Sequence, residues 1–237
     1  MKAIILAGGK GTRLAPYTKI LPKPLMPIGD MPILEVLLRQ MKCAGIDEVI
    51  ITVGHLAGLL KAFFQGGHRL GLKISYSREE EPLGTSGPLS LIKGLDETFL
   101  VSNGDVLTTL DLQELIRYHI HEEATATIAA HCRQVDIDFG VVECDGNNRM
   151  IGYQEKPAIE FMVSMGIYVF EPRVLNYIPK GQYLDLPDLV RKMMAAGEKV
   201  ITYPYKGYWQ DLGRPDDYEQ ATRDFDSMRH EFLLNGK

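Results

Sequence analysis

Apolar positions along this chain follow two rhythms, unbroken runs and runs with three-to-four spacing, and over the first hundred residues the two alternate. Lys2–Ala7, Glu48–Val53, 72–76 and 98–102 are unbroken apolar runs, the pattern of strands buried on both faces. Between the first two, Ile33, Leu34, Leu37, Leu38 and Met41 recur at helical spacing. They predict a helix over 31–44 that tolerates Pro32 in its first turn and stops at Gly45. Residues 56–64 predict a second helix, closed by Gly66-Gly67. Strand, helix, strand, helix, strand implies right-handed crossovers and a mostly parallel sheet.

The second half is more mixed. Asp111 suits the cap of a helix running to 123, which carries His119 and His121 on a face expected to be exposed. Residues 124–130, 139–143, 149–154, 162–170 and 200–205 read as strands, with Asp145-Gly146-Asn147-Asn148 as a tight hairpin turn. Helices are expected over 171–177 and 185–196, the latter capped by Asp185 two residues before Pro187. A charged helix follows from Pro215 to about Met228. No linker or repeat interrupts the chain, so a single α/β domain over 1–237 is expected, without a C-terminal β-helix.

At 237 residues, with 45% apolar and 24% charged residues, there is enough chain for one large core. A net charge of −5 argues against a nucleic-acid partner. An anionic ligand must then be met by a local basic cluster. Cys43, Cys132 and Cys144 are odd in number and far apart, as expected of free thiols in a reducing compartment. With no leader-like or long apolar run, a cytoplasmic protein without membrane contact is expected.

The first strand breaks at Gly8-Gly9 and continues through Lys10, Gly11, Thr12 and Arg13 towards Lys19 and Lys23. The spacing matches neither a P-loop nor the G-x-G-x-x-G dinucleotide fingerprint. The glycines alone would suit an ordinary turn. The cations favour a loop whose backbone N–H groups cradle a polyphosphate. The fourth strand ends in Asn103-Gly104-Asp105; since Asp111 can cap the next helix, Asp105 is left for a hard cation such as Mg²⁺. His119, His121 and His131 lack acid or cysteine partners at ligand spacing, so no histidine metal site is expected. The loop Glu79-Glu80-Glu81-Pro82-Leu83-Gly84-Thr85 falls at the carboxyl edge of the sheet, where open α/β folds bind ligands, although three acids in a row also suit a solvated surface.

Leu6-Ala7-Gly8-Gly9-Lys10-Gly11-Thr12-Arg13-Leu14, with Pro16, Thr18 and Pro22-Lys23-Pro24-Leu25, resembles the signature of the sugar-phosphate nucleotidylyltransferases, and later motifs extend the likeness over nearly the whole chain. The resemblance implies a Rossmann-like three-layer α/β/α fold with a mostly parallel, mixed central sheet. It further implies a nucleotide-binding part over about 1–110 and a sugar-phosphate-binding part over about 111–237. The reaction implied joins a nucleoside triphosphate to a sugar 1-phosphate with Mg²⁺ and releases pyrophosphate; relatives are commonly dimers or tetramers. By this likeness the nucleotide lies on Leu6, Ala7, Gly8, Gly9, Gly11, Thr12, Arg13, Glu79, Glu80, Pro82, Gly84, Thr85, Asn103 and Gly104. Arg13, Lys23 and Asp105 are the catalytic set. Asp105 and Asp211, the latter in Trp209-Gln210-Asp211-Leu212-Gly213, hold the metal; Trp209 itself reads as a packing residue. Gly140, Glu155, Lys156 and Gly166 meet the sugar phosphate, with a surface ion pair as the alternative for Glu155-Lys156.

Thymidylyl- and uridylyl-transferring members carry Gln where Glu79 aligns. A carboxylate only accepts hydrogen bonds, which suits the adjacent donors of guanine, so GTP with a mannose- or heptose-type sugar is expected, with Glu80 as an alternative reader. dTTP, UTP or CTP with glucose 1-phosphate remains the alternative pairing, and a non-catalytic nucleotide-sugar-binding relative another. A glycosyltransferase would want Asp-x-Asp, and Asn103-Gly104-Asp105 supplies one acid.

Overall fold

The computed structural model describes residues 1–9 and 11–233. Four apolar runs form β1 (Lys2–Ala7), β2 (Glu48–Val53), β3 (Lys73–Arg78) and β4 (Phe99–Asn103), all parallel to one another. A short strand β5 (Val106–Thr108) follows, then β6 (Ala126–Asp136), β7 (Val141–Cys144), β8 (Met150–Gln154) and β9 (Ala158–Phe170). β10 (Val200–Tyr205) and β11 (Trp209–Asp211) complete the strands used below. The central sheet has seven strands in the order β10-β6-β9-β4-β1-β2-β3. Six share one direction; β9 runs against both its neighbours. The mostly parallel, mixed sheet is therefore as expected.

Alternation along the strands sorts the core into layers. Ala3, Ile5 and Ala7 of β1 face one side, where Leu34, Leu37, Leu38 and Met41 of α1 (Ile33–Cys43) pack with Leu60 and Phe64 of α2 (Ala57–Phe64) and Leu112 and Leu115 of α3 (Leu112–His121). Ile4 faces the other side, covered by Leu186, Leu189 and Met193 of α4 (Leu186–Ala195) and by two 3₁₀ segments, Gly87–Leu91 and Pro172–Tyr177. The second winds as a 3₁₀ turn where a helix was expected over 171–177. α5 (Pro215–Leu233), with a kink at Met228, closes a third cluster through Phe225 and Phe232 against Ile33 and Val36.

Two side-chain expectations are corrected. His119 is fully buried, not exposed: it lies on the core face of α3, one turn beyond Leu115 and Ile116, and its ring meets Thr127 at 2.7 Å and Glu171 at 3.3 Å. Burial pulls its pKa down against the opposing pull of Glu171. His121 is exposed as expected. Asp185 precedes α4 but its carboxylate does not cap it; the Leu186 N–H goes to the Thr85 hydroxyl instead, at 2.7 Å. Asp111 does cap α3, accepting from Gln113 and Glu114 N–H. The three cysteines are free and exposed, and no helix among the described residues is long and apolar enough to cross a membrane.

Beyond residue 131, β6 and β9 leave the sheet as an exposed two-stranded ribbon carrying the β7–β8 hairpin. The exit is marked by a register shift in β9 between Ser164 and Tyr168. Residues 165–170 are buried and 158–164 are not.

Candidate active site

Parallel register sets the ends of β1, β2, β3 and β4 side by side, and every loop leaving them emerges at one edge. Ala7 pairs with Val53, Leu6 with Asn103, and Val53 with Arg78. Backbone bonds carry the alignment past the strand ends: Gly104 N–H reaches the Leu6 carbonyl at 3.1 Å and Glu79 N–H the Val53 carbonyl at 3.2 Å. Antiparallel pairing of β11 with β5 then brings Asp211 in, and Leu212 N–H donates to the Asp105 carbonyl at 3.1 Å.

Two clefts open along this edge, sharing Gly8 and Gly9. The first, about 290 Å³, is lined by Leu6, Ala7, Gly8, Gly9, Gly11, Arg13, Lys23, Pro24, Thr85, Asn103, Gly104 and Asp105. The second, about 440 Å³, is lined by Gly8, Gly9, Gly54, His55, Arg78, Glu79, Glu80, Glu81 and Pro82. A Cβ added at Gly9 would meet nothing within 4 Å, so the backbone there faces open space a ligand can approach. Gly11 sits at φ +61°, the left-handed region, and the Thr18 hydroxyl fixes it by donating to its carbonyl at 2.8 Å.

Charge is concentrated in the first cleft. The buried Lys23 ammonium contacts Asp105 Oδ2 directly and lies 3.7 Å from Asp211 Oδ1. Asp105 Oδ1 is buried and has no hydrogen-bond partner among the described residues. Burial, and then the charge of Asp105, raise the Asp211 pKa; Lys23 and Arg13 oppose the rise. Two carboxylates pressed together, one with an orphaned buried oxygen, suit a hard divalent cation. Among the described residues no group of three or more His, Cys, Asp or Glu could hold a metal. Such a cation would thus take its remaining ligands from a substrate or water. The Arg13 guanidinium stands beside Asp211, both within reach of a Cβ placed on Gly213.

In the second cleft, Glu79 lies against Gly8: its Oε1 would stand 2.2 Å from a Cβ there. Its Oε2 accepts the Leu83 N–H at 3.0 Å, and burial pushes its pKa up. Glu80 and Pro82 share the lining; Thr12 and Gly84 adjoin the clefts without lining them. Lys19 is exposed and lines neither cleft, and Lys10 lies outside the described residues. Thr85 lines the first cleft with its polar atoms turned away, its N–H and hydroxyl both on Asp185.

Of the expected sugar-phosphate residues, only Gly166 comes to this edge. It sits at φ +74° in the β9 irregularity, where a Cβ would stand 2.5 Å from the Asn103 side-chain nitrogen. Gly140, Glu155 and Lys156 are on the exposed arm and line neither cleft. There Tyr153 joins two of them: its hydroxyl packs on Gly140 and donates to Glu155 Oε2 at 2.6 Å. Trp209 packs as expected, its indole N–H donating to the Met165 carbonyl at 3.0 Å. His55 and Arg78 were not singled out from the sequence, yet both line the second cleft. Each stands at the carboxyl end of a parallel strand, and that position is the signal that finds them.

A nucleotidyl transferase family model matches residues 2–227. A UTP–glucose-1-phosphate uridylyltransferase of Synechocystis sp. is 39% identical over 243 residues, covering 94% of this chain and 63% of that protein. A mannose-1-phosphate guanylyltransferase of Mycobacterium tuberculosis is 35% identical over 229 residues, covering 94% and 64%. The chain thus spans under two thirds of the length of these curated relatives. Among solved structures, HddC from Yersinia pseudotuberculosis complexed with GMP-PN superposes with a TM-score of 0.73 at 24% identity, over 94% of this chain and 99% of that one. UDP-glucose pyrophosphorylase complexed with UDP-glucose gives 0.73 at 21%, over 96% and 99%. At these identities the two structures speak to the fold.

Proposed function

Since this chain belongs to the nucleotidyl transferase family, we propose that it joins a nucleoside triphosphate to a sugar 1-phosphate, releasing pyrophosphate. The observation that carries the reading is the meeting of Arg13, Lys23, Asp105 and Asp211 at the glycine-lined cleft. Attack of a phosphate oxygen on the α-phosphorus needs no side-chain nucleophile. It needs two anions held together and charge neutralised as it moves to the leaving group.

In this reading the backbone from Leu6 to Gly11 receives the nucleotide, with Thr12, Asn103, Gly104, Gly84 and Thr85 shaping its surroundings. Arg13 neutralises the departing β,γ-phosphates, and Lys23 leaves its carboxylates to meet the α-phosphate. Asp105 and Asp211 would hold Mg²⁺, which when bound supplies Lewis-acid neutralisation of the phosphates. Glu155 takes sugar hydroxyls and Lys156 the sugar phosphate, with Gly140 and Gly166 giving the ring room. The nucleotide part covers about 1–110 and the sugar part about 111–237.

For the base, the Glu79 carboxylate on Gly8 favours GTP, since it accepts from adjacent donors as guanine presents them. A mannose- or heptose-type sugar goes with that choice. The 39% identity to a uridylyltransferase favours the second reading, UTP with glucose 1-phosphate. Pyrophosphate release with Mg²⁺, crossing GTP, UTP, dTTP and CTP against mannose, heptose and glucose 1-phosphates, tests both. Turnover confined to GTP supports the first reading; turnover with UTP and glucose 1-phosphate replaces it with the second. No turnover by folded protein in any combination overturns the reaction.

A further inference from the structure

The wall of the nucleotide cleft is held from the other half of the chain. Segment 182–186, just before α4, grips the loop 83–87 in two layers. The backbone layer runs through Leu184: its N–H donates to the Leu83 carbonyl at 3.0 Å, and its carbonyl accepts from Ser86 and Gly87 N–H at 2.9 and 3.0 Å. The side-chain layer runs through Asp185. Its Oδ1 accepts both the Thr85 N–H at 3.0 Å and the Thr85 hydroxyl at 3.2 Å, while Oδ2 accepts the Tyr183 hydroxyl at 2.6 Å. The Thr85 oxygen accepts the Leu186 N–H in return, closing the circuit. Gly84 lets the loop come this close: at φ +76°, a Cβ there would stand 2.7 Å from the Leu184 carbonyl and 2.8 Å from Asp185 Oδ1.

We infer that Asp185, braced by Tyr183, is a positioning residue that fixes Thr85 in the wall of the nucleotide cleft and so sets nucleotide affinity. The inference rests on the reading of that cleft as the nucleotide site. Asp185 touches no cleft-lining residue that handles phosphate charge, so its influence is on binding, not on the chemical step. The Tyr183 hydroxyl, ahead of the Thr85 groups, holds the Asp185 carboxyl below its ordinary pKa, so it stays a full acceptor at neutral pH. Without the carboxylate, Thr85 keeps its place only through the backbone layer and the Leu186 N–H, and the nucleotide must order the loop as it binds.

Titration calorimetry with GTP and UTP, alongside initial rates, on Asp185→Ala, Asp185→Asn and Tyr183→Phe tests this. Asp185→Ala is expected to weaken nucleotide binding and raise its KM about tenfold, with kcat and the sugar-phosphate KM within about twofold of the parent. Asp185→Asn keeps an acceptor oxygen for Thr85 and is expected to restore most of the affinity. Tyr183→Phe, at an exposed position, is expected to lose about two- to threefold. A folded Asp185→Ala with unchanged nucleotide Kd overturns the inference, as does a loss shared equally by both substrates. If Asp185→Ala fails to fold, Thr85→Val must show the same nucleotide-only loss, or the inference falls. A parent protein that binds a nucleoside triphosphate but turns nothing over sinks the proposed reaction, and calorimetry still decides the role of Asp185. A parent that binds none overturns both.

Discussion

The two ends of the proposed reaction stand on different kinds of ground. The groups proposed to meet the phosphates follow β1 and β4, strands covered by α1, α2 and α3 on one face and by α4 on the other, except Asp211, which ends β11. Phe99, in the strand that leads to Asp105, is 0% exposed. Three of the groups proposed to meet the sugar phosphate, Gly140, Glu155 and Lys156, stand on an arm where Phe139 is 77% exposed and Val142, Met150 and Ile151 are more than half exposed. Loops leaving the parallel strands β1 and β4 carry Arg13, Lys23 and Asp105, and the antiparallel β5–β11 pair brings Asp211 to them. The arm holds Glu155 and Lys156 through its ribbon, the β7–β8 pairing, the Ile137 N–H bond to the Pro157 carbonyl at 3.1 Å and the Tyr153–Glu155 contact. On the proposed reading, charge neutralisation at the phosphorus falls to the well-buried part and sugar recognition to a part with few buried contacts.

The largest effect that could break this contrast is on stability. Phe99→Ala is expected to cost about 3–5 kcal/mol, because Phe99 fills the core against Phe170 at a 6.0 Å ring separation. Phe139→Ala is expected to stay within about 0.5 kcal/mol. Denaturant unfolding of both measures it. A Phe139 variant as costly as the Phe99 one would mean that the arm is folded onto something that supports it.

Next is turnover. Asp105→Asn keeps the size of the side chain but removes the charge that faces Lys23, and kcat for pyrophosphate release is expected to fall about 10²–10³-fold. Near-normal kcat from this variant would move the chemistry away from Asp105. Lys156→Ala on the arm should look different: sugar-phosphate KM up about tenfold, nucleotide KM and melting temperature unchanged, since Lys156 is exposed. A matching loss in nucleotide affinity would show that the two halves do not act independently.

The same contrast governs what the sequence shows. β1 and β2 lie where their apolar runs predict them, because strands buried on both faces are written as unbroken apolar runs. Asp105 was legible two residues past the end of β4, whereas Arg13, Lys23 and Asp211 were singled out by the likeness to the family signature. His119 was misread as exposed because it is polar, although its spacing from Leu112, Leu115 and Ile116 puts it on the core face. Asp185 was read as a cap because local sequence cannot show that Thr85, a hundred residues earlier, takes the helix N–H. The length of β6 and β9 was underestimated because an exposed ribbon carries no continuous apolar run.

The smallest effect sharpens the comparison at Glu79, the one acid of the second cleft that packs on the glycine loop. Its carboxyl is raised above its ordinary value of 4.5 chiefly by burial, with the Leu83 N–H pulling the other way. A carboxyl raised in the folded state binds its proton more tightly there than in the unfolded chain. Its favourable contribution is therefore complete below 4.5 and is lost as pH rises through the folded value. Glu79→Gln keeps an oxygen for the Leu83 N–H and removes the charge. It should gain stability relative to the parent as pH goes from 4 to 7, by about 1 kcal/mol at most because water still reaches the group. Thermal unfolding across that range reads the sign. The same variant should reduce the preference for GTP over UTP about tenfold, because an amide offers both a donor and an acceptor where the carboxylate only accepts. A variant that loses stability as pH rises would mean that Glu79 is held by an attraction, and then its charge belongs to the architecture of the loop before it belongs to the base.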